Sequence, residues 1–287
     1  MDASAETSPQ HRARSWKHHA RFEILPLGRG EEQAAQLPEP VPLTVTCSPR
    51  HGPDRSVAVA RRLTALGHSV AVHLAARMVR DRAHLDELLA AIAQARVEDV
   101  FLMGGDATPP QGPYPSAVDL LPEICDHPQR PRDIGIAGYP EGHPLIDAGT
   151  LAEALDAKSQ LASYITTQLC FDAEAVLAWI RETRERGVRL PVLVGLPGVV
   201  DRRRLLEVSM RIGVGPSLAF LRKQRGVRKL LGPSSVKADA VYEDLARCLD
   251  DPELSIAGFH FYTFDQLVDT WRWERRKRER SPLAAES

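Results

Sequence analysis

Eight short apolar runs alternate along this chain with segments of helical periodicity, and this alternation restricts the fold more than any other feature. Each run has the length, β-branched content and flanking breakers of a buried strand. The runs are Arg21–Pro26, Pro42–Cys47, Ser69–Leu74, Asp99–Gly104, Asp133–Tyr139, Tyr164–Phe171, Pro191–Pro197 and Gly258–Phe264. The helical patterns between them include Asp54–Leu66, Arg82–Ala95, Pro115–Cys125, Asp172–Arg186 and Asp239–Leu249. Eight β-then-α units predict an α/β fold, a single (βα)8 TIM barrel.

The chain divides into a leader, a barrel and a tail. Residues 1–20 are polar without apolar periodicity, which predicts a flexible N-terminal leader. Residues 21–275 form the barrel, and residues 276–287, where a charge run gives way to small residues, are expected to be a flexible C-terminal tail. The interval between the seventh and eighth strands is the longest. It predicts extra helices at Arg202–Met210, Pro216–Arg225 and Ser235–Leu249.

Charge and composition exclude several classes of partner. The 287 residues carry 37 Lys and Arg against 38 Asp and Glu, so no basic field favours nucleic acid or an anionic membrane. No apolar run reaches the roughly 18 residues of a membrane helix. The four cysteines lack CxxC spacing, which is typical of reduced thiols. We therefore expect a cytoplasmic protein that acts on small molecules. Its oligomeric state stays open, with a homo-oligomer among the options.

Glu23 is the first of several polar residues that lie in the predicted strands or just after them, at the rim where barrel enzymes place their chemistry. It alternates with Phe22 and Ile24, so it should face the barrel interior. Burial disfavours a charged carboxylate and raises its pKa, which suits a general acid near neutral pH. A structural ion pair with an inward Arg or Lys is the alternative explanation.

Two rim segments carry candidate ligand groups. Gly104 lets a ligand approach the backbone closely, and Asp106 can accept hydrogen bonds from an amino-substituted heterocycle, unless it caps the next turn. The turn at 138–144 presents Tyr139 and His143. Turn chemistry explains the glycines and prolines of this segment but not these two rings.

Gln168 and the eighth strand add polar groups to the interior. Gln168 could recognise an amide or pterin edge, although a satisfied core glutamine explains it nearly as well. We expect His260 and Tyr262, which share one face of their strand, to be a core pair bonded to neighbouring strands. Dinucleotide-fingerprint, P-loop, HExxH and GxSxG motifs are absent, and the histidines lack an HxH pair, so we expect no metal.

These motifs, in this order, resemble the methylenetetrahydrofolate reductase family. The residues that carry the resemblance are Phe22-Glu23-x-x-Pro26, Val45-Thr46, His73-Leu74, Gly105-Asp106, Ala137 to Pro144, Thr167-Gln168-x-x-Phe171-Asp172, Pro191 to Gly195 and His260 to Thr263. The family is a (βα)8 barrel that reduces 5,10-methylenetetrahydrofolate to 5-methyltetrahydrofolate with NADH or NADPH, usually through FAD. The resemblance therefore implies a tetrahydrofolate derivative and a nicotinamide dinucleotide as ligands.

The resemblance also implies roles for single residues. Glu23 matches the acid that helps to open the imidazolidine ring of the folate and to generate its 5-iminium cation. The residues expected to contact the substrate are Asp106, Gln168, Phe171 and Tyr262. The residues expected to contact the cofactor are Thr46, His73, Gly104, Ala137, Tyr139, His143 and Lys158.

Departures from the family pattern concern mainly the flavin. Gly104 stands where the family usually has an arginine, the segment after Lys158 is one residue shorter and lacks a glycine, and a Pro-Gly-Ile-Met-Pro motif is replaced at 194–198. Because these three segments belong to one pocket, we expect hydride transfer from NADH or NADPH without FAD, as in a flavin-free actinobacterial branch of the family. An FAD-dependent reductase and a non-catalytic folate-binding partner of one-carbon enzymes are the alternatives.

Overall fold

The fold is a closed barrel of eight parallel strands. A computed structural model of the chain describes residues 19–48, 50–200 and 238–280. The strands follow one another around the barrel in chain order, and the last pairs with the first. They are β1 (His19–Ile24), β2 (Pro42–Val45), β3 (Ser69–Ala75), β4 (Asp99–Met103), β5 (Asp133–Gly138), β6 (Tyr164–Thr167), β7 (Val192–Pro197) and β8 (Ile256–Tyr262).

Within the described residues, a helix lies between each strand and the next, and another follows the last strand. The helices are α1 (Gly30–Ala34), α2 (Gly52–Ala65), α3 (Arg82–Gln94), α4 (Ala117–Cys125), α5 (Ala148–Ser159), α6 (Ala173–Glu185), α7 (Asp239–Ala246) and α8 (Leu267–Arg280). A short 3₁₀ turn, Ala76–Met78, follows β3 directly. The predicted (βα)8 barrel is thus confirmed.

Side-chain caps decide where several helices begin. The carboxylate of Asp81 accepts a hydrogen bond of 2.8 Å from an amide in the first turn of α3, and Asp147 and Asp172 cap α5 and α6 in the same way. Ser116 and Asp119 form a reciprocal capping box at the start of α4. Each cap satisfies amides that the first helical turn leaves without partners. The caps therefore fix where the rim loops after β3 to β6 end.

Alternation divides each strand between two environments. In β1, Phe22 and Ile24 are buried in the apolar core outside the sheet, whereas Glu23 points into the barrel. The pairing register carries this alternation around the sheet, since Glu23 pairs with Thr44 of β2 and with Tyr262 of β8. The outer faces of the strands and the helices share one large apolar core, and the barrel interior keeps many polar side chains.

The sixth strand is shorter than the sequence predicts. The predicted strand Tyr164–Phe171 ends at Thr167 in the structure. The amide of Leu169 donates a hydrogen bond of 2.9 Å to the side-chain oxygen of Gln168 and not to a neighbouring strand, so the regular ladder ends here. Gln168 and Phe171 therefore belong to the rim loop after β6 rather than to the strand.

Both ends of the barrel differ slightly from the predicted boundaries. β1 begins at His19, inside the expected leader, and α8 continues through Arg280, so residues 276–280 of the expected tail are helical. Within the predicted helix Ser235–Leu249 the structure describes α7. The predicted helices Arg202–Met210 and Pro216–Arg225 lie outside the described residues, as do residues 1–18 and 281–287.

Candidate active site

Glu23 and two histidines form the centre of the polar interior. The Nε2 atom of His260 lies 3.2 Å from Oε2 of Glu23, and Nε2 of His73 lies 3.9 Å from the same oxygen. Both imidazoles are almost completely buried, whereas 13% of the Glu23 side chain is exposed. Glu23 is therefore the member of this group that a ligand in the barrel mouth can reach.

Burial controls the protonation of all three groups. Loss of solvation raises the pKa of Glu23 from 4.5 to about 7, and the nearby His73 opposes this only in part. Burial, with a smaller contribution from the positive charge of Arg21, lowers the pKa of His73 to about 4 and that of His260 to about 3. Near neutral pH both imidazoles are therefore uncharged, and Glu23 keeps its proton in a large fraction of molecules. Such a carboxyl can deliver a proton to a bound ligand.

A second buried polar cluster lies beneath Glu23, towards the amino-terminal ends of the strands. The guanidinium of Arg21 donates to the carboxylate of Asp99 at 2.7 Å and to the hydroxyl of Tyr164 at 2.6 Å. That hydroxyl donates in turn to Asp99 at 2.8 Å. Gly135 leaves the space for the tyrosine ring, because a Cβ there would collide with it. The inward arginine near Glu23 is thus engaged by Asp99, and Glu23 pairs with histidine instead.

The loops after β4 and β5 bring Asp106, Tyr139 and His143 into one neighbourhood. The rings of Tyr139 and His143 meet edge to face with their centroids 5.3 Å apart. Burial raises the pKa of Tyr139, with a further rise from the charge of Asp106. Burial lowers the pKa of His143, and the same carboxylate opposes that shift. Asp106 is exposed, so its oxygens are available to accept hydrogen bonds from a ligand.

Glu141 fastens the loop after β5 to the loop after β6. Its Oε1 atom accepts hydrogen bonds from the backbone amides of Phe171 at 2.7 Å and Asp172 at 3.0 Å. Hydrogen bonds to a charged acceptor are stronger than neutral ones. Phe171 is thereby held in a small buried cluster against which Tyr262 packs. The clamp fixes the segment that carries Gln168 at the mouth of the barrel.

The remaining candidates lie around the same mouth. Gln168 is half-buried, and its carboxamide nitrogen makes no hydrogen bond to the described residues. Tyr262 donates from its hydroxyl to the backbone oxygen of Thr167 at 3.1 Å, which ties β8 to β6. Thr46 directly follows β2, and Ala137 lies in β5 against a cluster of interior side chains.

Other features lie apart from this mouth. The described residues contain no group of three or more His, Cys, Asp or Glu side chains that could hold a metal ion. No helix within residues 19–48, 50–200 and 238–280 is long and apolar enough to cross a membrane. A cavity of about 230 Å³ opens at the amino-terminal end of the barrel, where His68, Asp99 and Arg132 are among its lining residues. None of the candidate ligand-binding residues lines it.

Comparison with known proteins identifies the barrel. The family model for methylenetetrahydrofolate reductase matches residues 33–269, which is most of the chain. The chain belongs to the methylenetetrahydrofolate reductase family. The resemblance inferred from the rim motifs is thereby confirmed.

Curated relatives agree with this assignment at low identity. The chain is 27% identical over 145 residues to methylenetetrahydrofolate reductase (NADH) 1 of Arabidopsis thaliana, a match that covers 44% of this chain and 24% of that protein. It is 32% identical over 93 residues to methylenetetrahydrofolate reductase 1 of Schizosaccharomyces pombe, with 32% and 15% covered. It is 26% identical over 126 residues to methylenetetrahydrofolate reductase 2 of Saccharomyces cerevisiae, with 39% and 20% covered. The matches span less than a quarter of the length of these relatives.

Lys158 does not lie with the other predicted cofactor-binding residues. It occupies the last turn of α5, which runs from the rim after β5 towards the start of β6 at the opposite end of the barrel. Its side chain is buried, and loss of solvation lowers its pKa to about 8. The motif placed Lys158 by its spacing from Gln168 alone, whereas the course of the helix puts its backbone near the end opposite the rim.

Some polar residues that shape the site escaped the sequence motifs. Arg21 and Asp99 lie in apolar strands on the same inward face as Glu23, so alternation could have found them. Glu141 was visible within a rim motif, but its contact with another loop depends on the fold.

Proposed function

We propose that this chain reduces 5,10-methylenetetrahydrofolate to 5-methyltetrahydrofolate, with NADH or NADPH as hydride donor and Glu23 as general acid. The observation that carries the proposal is the carboxyl of Glu23 at the mouth of a barrel of this family, with its pKa raised to about 7. A carboxyl that keeps its proton near neutral pH and faces a ligand site has the properties that acid catalysis requires.

The reaction consumes one proton and one hydride. In the substrate a methylene group bridges two nitrogens, N5 and N10. Protonation of N10 lets its bond to the methylene carbon break, which leaves the 5-iminium cation. Hydride from C4 of the nicotinamide then adds to that carbon and gives the 5-methyl product and the oxidised dinucleotide. Glu23 donates the proton and regains one from solvent through its exposed edge.

We assign the remaining rim residues to two groups, one that contacts the pterin and one that contacts the dinucleotide. Asp106 and Gln168 suit the amino and amide edge of the pterin, because a carboxylate accepts hydrogen bonds and a carboxamide both donates and accepts them. Phe171, which is in the same loop as Gln168, and Tyr262, which packs against the cluster of Phe171, would complete the substrate side. The positions assigned to the dinucleotide are Thr46, His73, Gly104, Ala137, Tyr139 and His143.

We further propose that hydride passes directly from the nicotinamide to the folate without FAD. The described rim residues suit a tightly held flavin poorly. Gly104 has no side chain with which to hold the diphosphate of FAD, at the position where the family usually has an arginine. Without a flavin the nicotinamide itself must reach the folate, with its C4 roughly 3–3.5 Å from the methylene carbon.

The absorbance spectrum and the initial-rate kinetics of the purified protein test both parts of this proposal. We expect a colourless protein, no stimulation by added FAD, and intersecting lines when NADH and methylenetetrahydrofolate are varied, because direct transfer needs both substrates together. A stoichiometric flavin absorbance that NADH bleaches before folate is added would replace direct transfer with the FAD-dependent reaction. Folate binding without any folate-dependent NADH oxidation would contradict the reductase activity and favour a folate-binding partner.

A further inference from the structure

The described rim loops differ in charge from one side of the barrel to the other. The loops after β2 and β3 carry Arg50, Arg77 and Arg80, with Asp81 as their one acid at the cap of α3. The loops after β4, β5 and β6 contain no Lys or Arg, and they carry the acids Asp106, Glu141, Asp147 and Asp172. An anionic part of a ligand therefore meets a favourable field above β2 and β3 and an unfavourable one above β4 to β6.

Arg77 is the most firmly placed of these arginines. Its backbone amide donates to the carbonyl of Gly104 at 2.9 Å, and its carbonyl accepts from the amide of Gln111 at 2.8 Å. Its side-chain Nε donates to the carbonyl of Ala107 at 2.7 Å. Three hydrogen bonds thus join Arg77 to the loop after β4, and they fix the guanidinium at its Nε end.

The outer end of this guanidinium keeps its hydrogen-bonding capacity. Neither Nη atom of Arg77 donates a hydrogen bond to any residue that the structure describes, although the side chain is half-buried. Two adjacent NH₂ groups in one plane match two oxygens of a phosphate group. Because Nε is already bonded, such a ligand would find the fork in place and would not have to order a flexible side chain.

The backbone beside Arg77 is open to a ligand. A Cβ added to Gly104 would have no atom within 4 Å, so the space above this residue is free of described protein atoms. Gly105 has a φ of +85°, and a Cβ there would lie 2.7 Å from the Cβ of Ala75, so only glycine fits. The strand ends of β3 and β4 therefore form a shallow cradle with a fixed guanidinium on one side.

We infer that Arg77 binds the diphosphate of the nicotinamide dinucleotide and so places the nicotinamide over the barrel mouth. The inference rests on the proposed function, because that function supplies the dinucleotide. The diphosphate is a compact dianion, and the cradle combines a fixed fork with close access to the backbone. Arg77 thereby supplies a positive charge beside Gly104, in a region where the loop after β4 has no Lys or Arg of its own.

The test compares Arg77→Gln and Arg77→Lys with the wild type. Arg61→Gln is the control, because Arg61 is exposed on the outer side of α2, away from the rim. Calorimetric titration should show NADH binding weakened at least about tenfold in Arg77→Gln and less in Arg77→Lys, since the fork provides charge-assisted hydrogen bonds. Reduced nicotinamide riboside, which carries no phosphate, should bind all variants alike. The salt dependence of NADH binding should become shallower in Arg77→Gln.

Steady-state kinetics separate binding from a purely structural effect. The KM for NADH should rise in Arg77→Gln, with kcat within about threefold of the wild type and the KM for folate unchanged. Equal loss of NADH and folate binding would mean that Arg77 only holds the loop after β4, and would overturn the inference. A selective loss of affinity for folate triglutamate over monoglutamate would assign Arg77 to the folate tail instead. Tight FAD binding that Arg77→Gln abolishes would assign the cradle to the flavin.

The two proposals fail in distinguishable ways. A wild-type protein that neither binds NADH nor oxidises it with methylenetetrahydrofolate would contradict the proposed function. A wild-type protein that does both, beside an Arg77→Gln variant that binds NADH equally well, would contradict the inference alone.

Discussion

Replacing Glu23 with glutamine should remove most activity and also change how stability depends on pH. The pKa of Glu23 rises from 4.5 to about 7 on folding, so between these values the folded protein holds a proton that the unfolded chain releases. Below pH 4.5 both states are protonated and the group has no effect on stability. As the pH rises towards 7 the carboxyl lowers the free energy of unfolding, and above 7 the folded state carries a buried charge.

The size of this effect follows from the two pKa values. A rise from 4.5 to about 7 corresponds to about 3 kcal/mol, because a tenfold change in proton affinity equals about 1.4 kcal/mol. Glutamine has the same shape and no charge to bury, so Glu23→Gln should not show this loss of stability. Its turnover should fall roughly hundredfold or more, as is typical when a general acid is removed.

Denaturant unfolding at pH 5 and pH 8, together with kcat, measures both consequences. From pH 5 to pH 8 the unfolding free energy of the wild type should fall by about 2–3 kcal/mol relative to that of Glu23→Gln. Glu185→Gln, on the exposed surface of α6, is the control and should keep the wild-type pH dependence. Parallel stability profiles for wild type and Glu23→Gln would refute the raised pKa, and near-wild-type turnover would remove Glu23 from the mechanism.

Two further predictions concern the folate edge and the loop clamp. Asp106→Asn and Gln168→Ala should each weaken folate binding by about 1–3 kcal/mol and leave NADH binding nearly unchanged, because each removes hydrogen bonds to the pterin. Calorimetric titration checks this, and unchanged folate affinity would withdraw that residue from the pterin site. Glu141→Ala should raise the KM for folate several-fold through loss of its two bonds to the loop after β6. Thermal unfolding close to that of the wild type would show that the barrel is intact, and unaltered kinetics would mean that the clamp is dispensable.

The barrel and its acid could be predicted because both follow from short-range patterns. Apolar runs between breakers gave the eight strands, and alternation around Phe22 and Ile24 placed Glu23 inside. The end of β6 was missed because the side chain of Gln168 accepts a hydrogen bond from the next amide, in place of a bond from that amide to a neighbouring strand. The apolar content of a sequence does not indicate such a bond. α5 was predicted only as the helix that each β-then-α unit requires and was given no bounds, since few of its residues are buried and its sequence shows little amphipathic pattern.

The parts of the site that depend on the meeting of distant loops could not be predicted. Lys158 matched a family position by spacing, whereas its place in the last turn of α5 depends on the course of that helix. The neighbours of Arg77 are provided by a loop about thirty residues further along the chain, as its bond to Ala107 shows. Glu141 holds Phe171 across a similar separation. Sequence patterns report periodicity within an element, whereas these contacts depend on how the loops lie beside one another.

The buried Arg21 at the amino-terminal end of the barrel restricts which charges the barrel interior can hold. Arg21 pairs in register with His260 and lies two residues before Glu23 on the same face of β1. Burial keeps His260 and His73 neutral by lowering their pKa values, and the positive charge of Arg21 adds to this by making a second charge in the interior costly. A change at Asp99 would disturb that charge and with it the protonation of the two histidines beside Glu23. The residues around Arg21 and those of the rim should therefore change together in evolution. Rim loops grafted onto another barrel would need the Arg21 and Asp99 pair beneath them to keep the same protonation states.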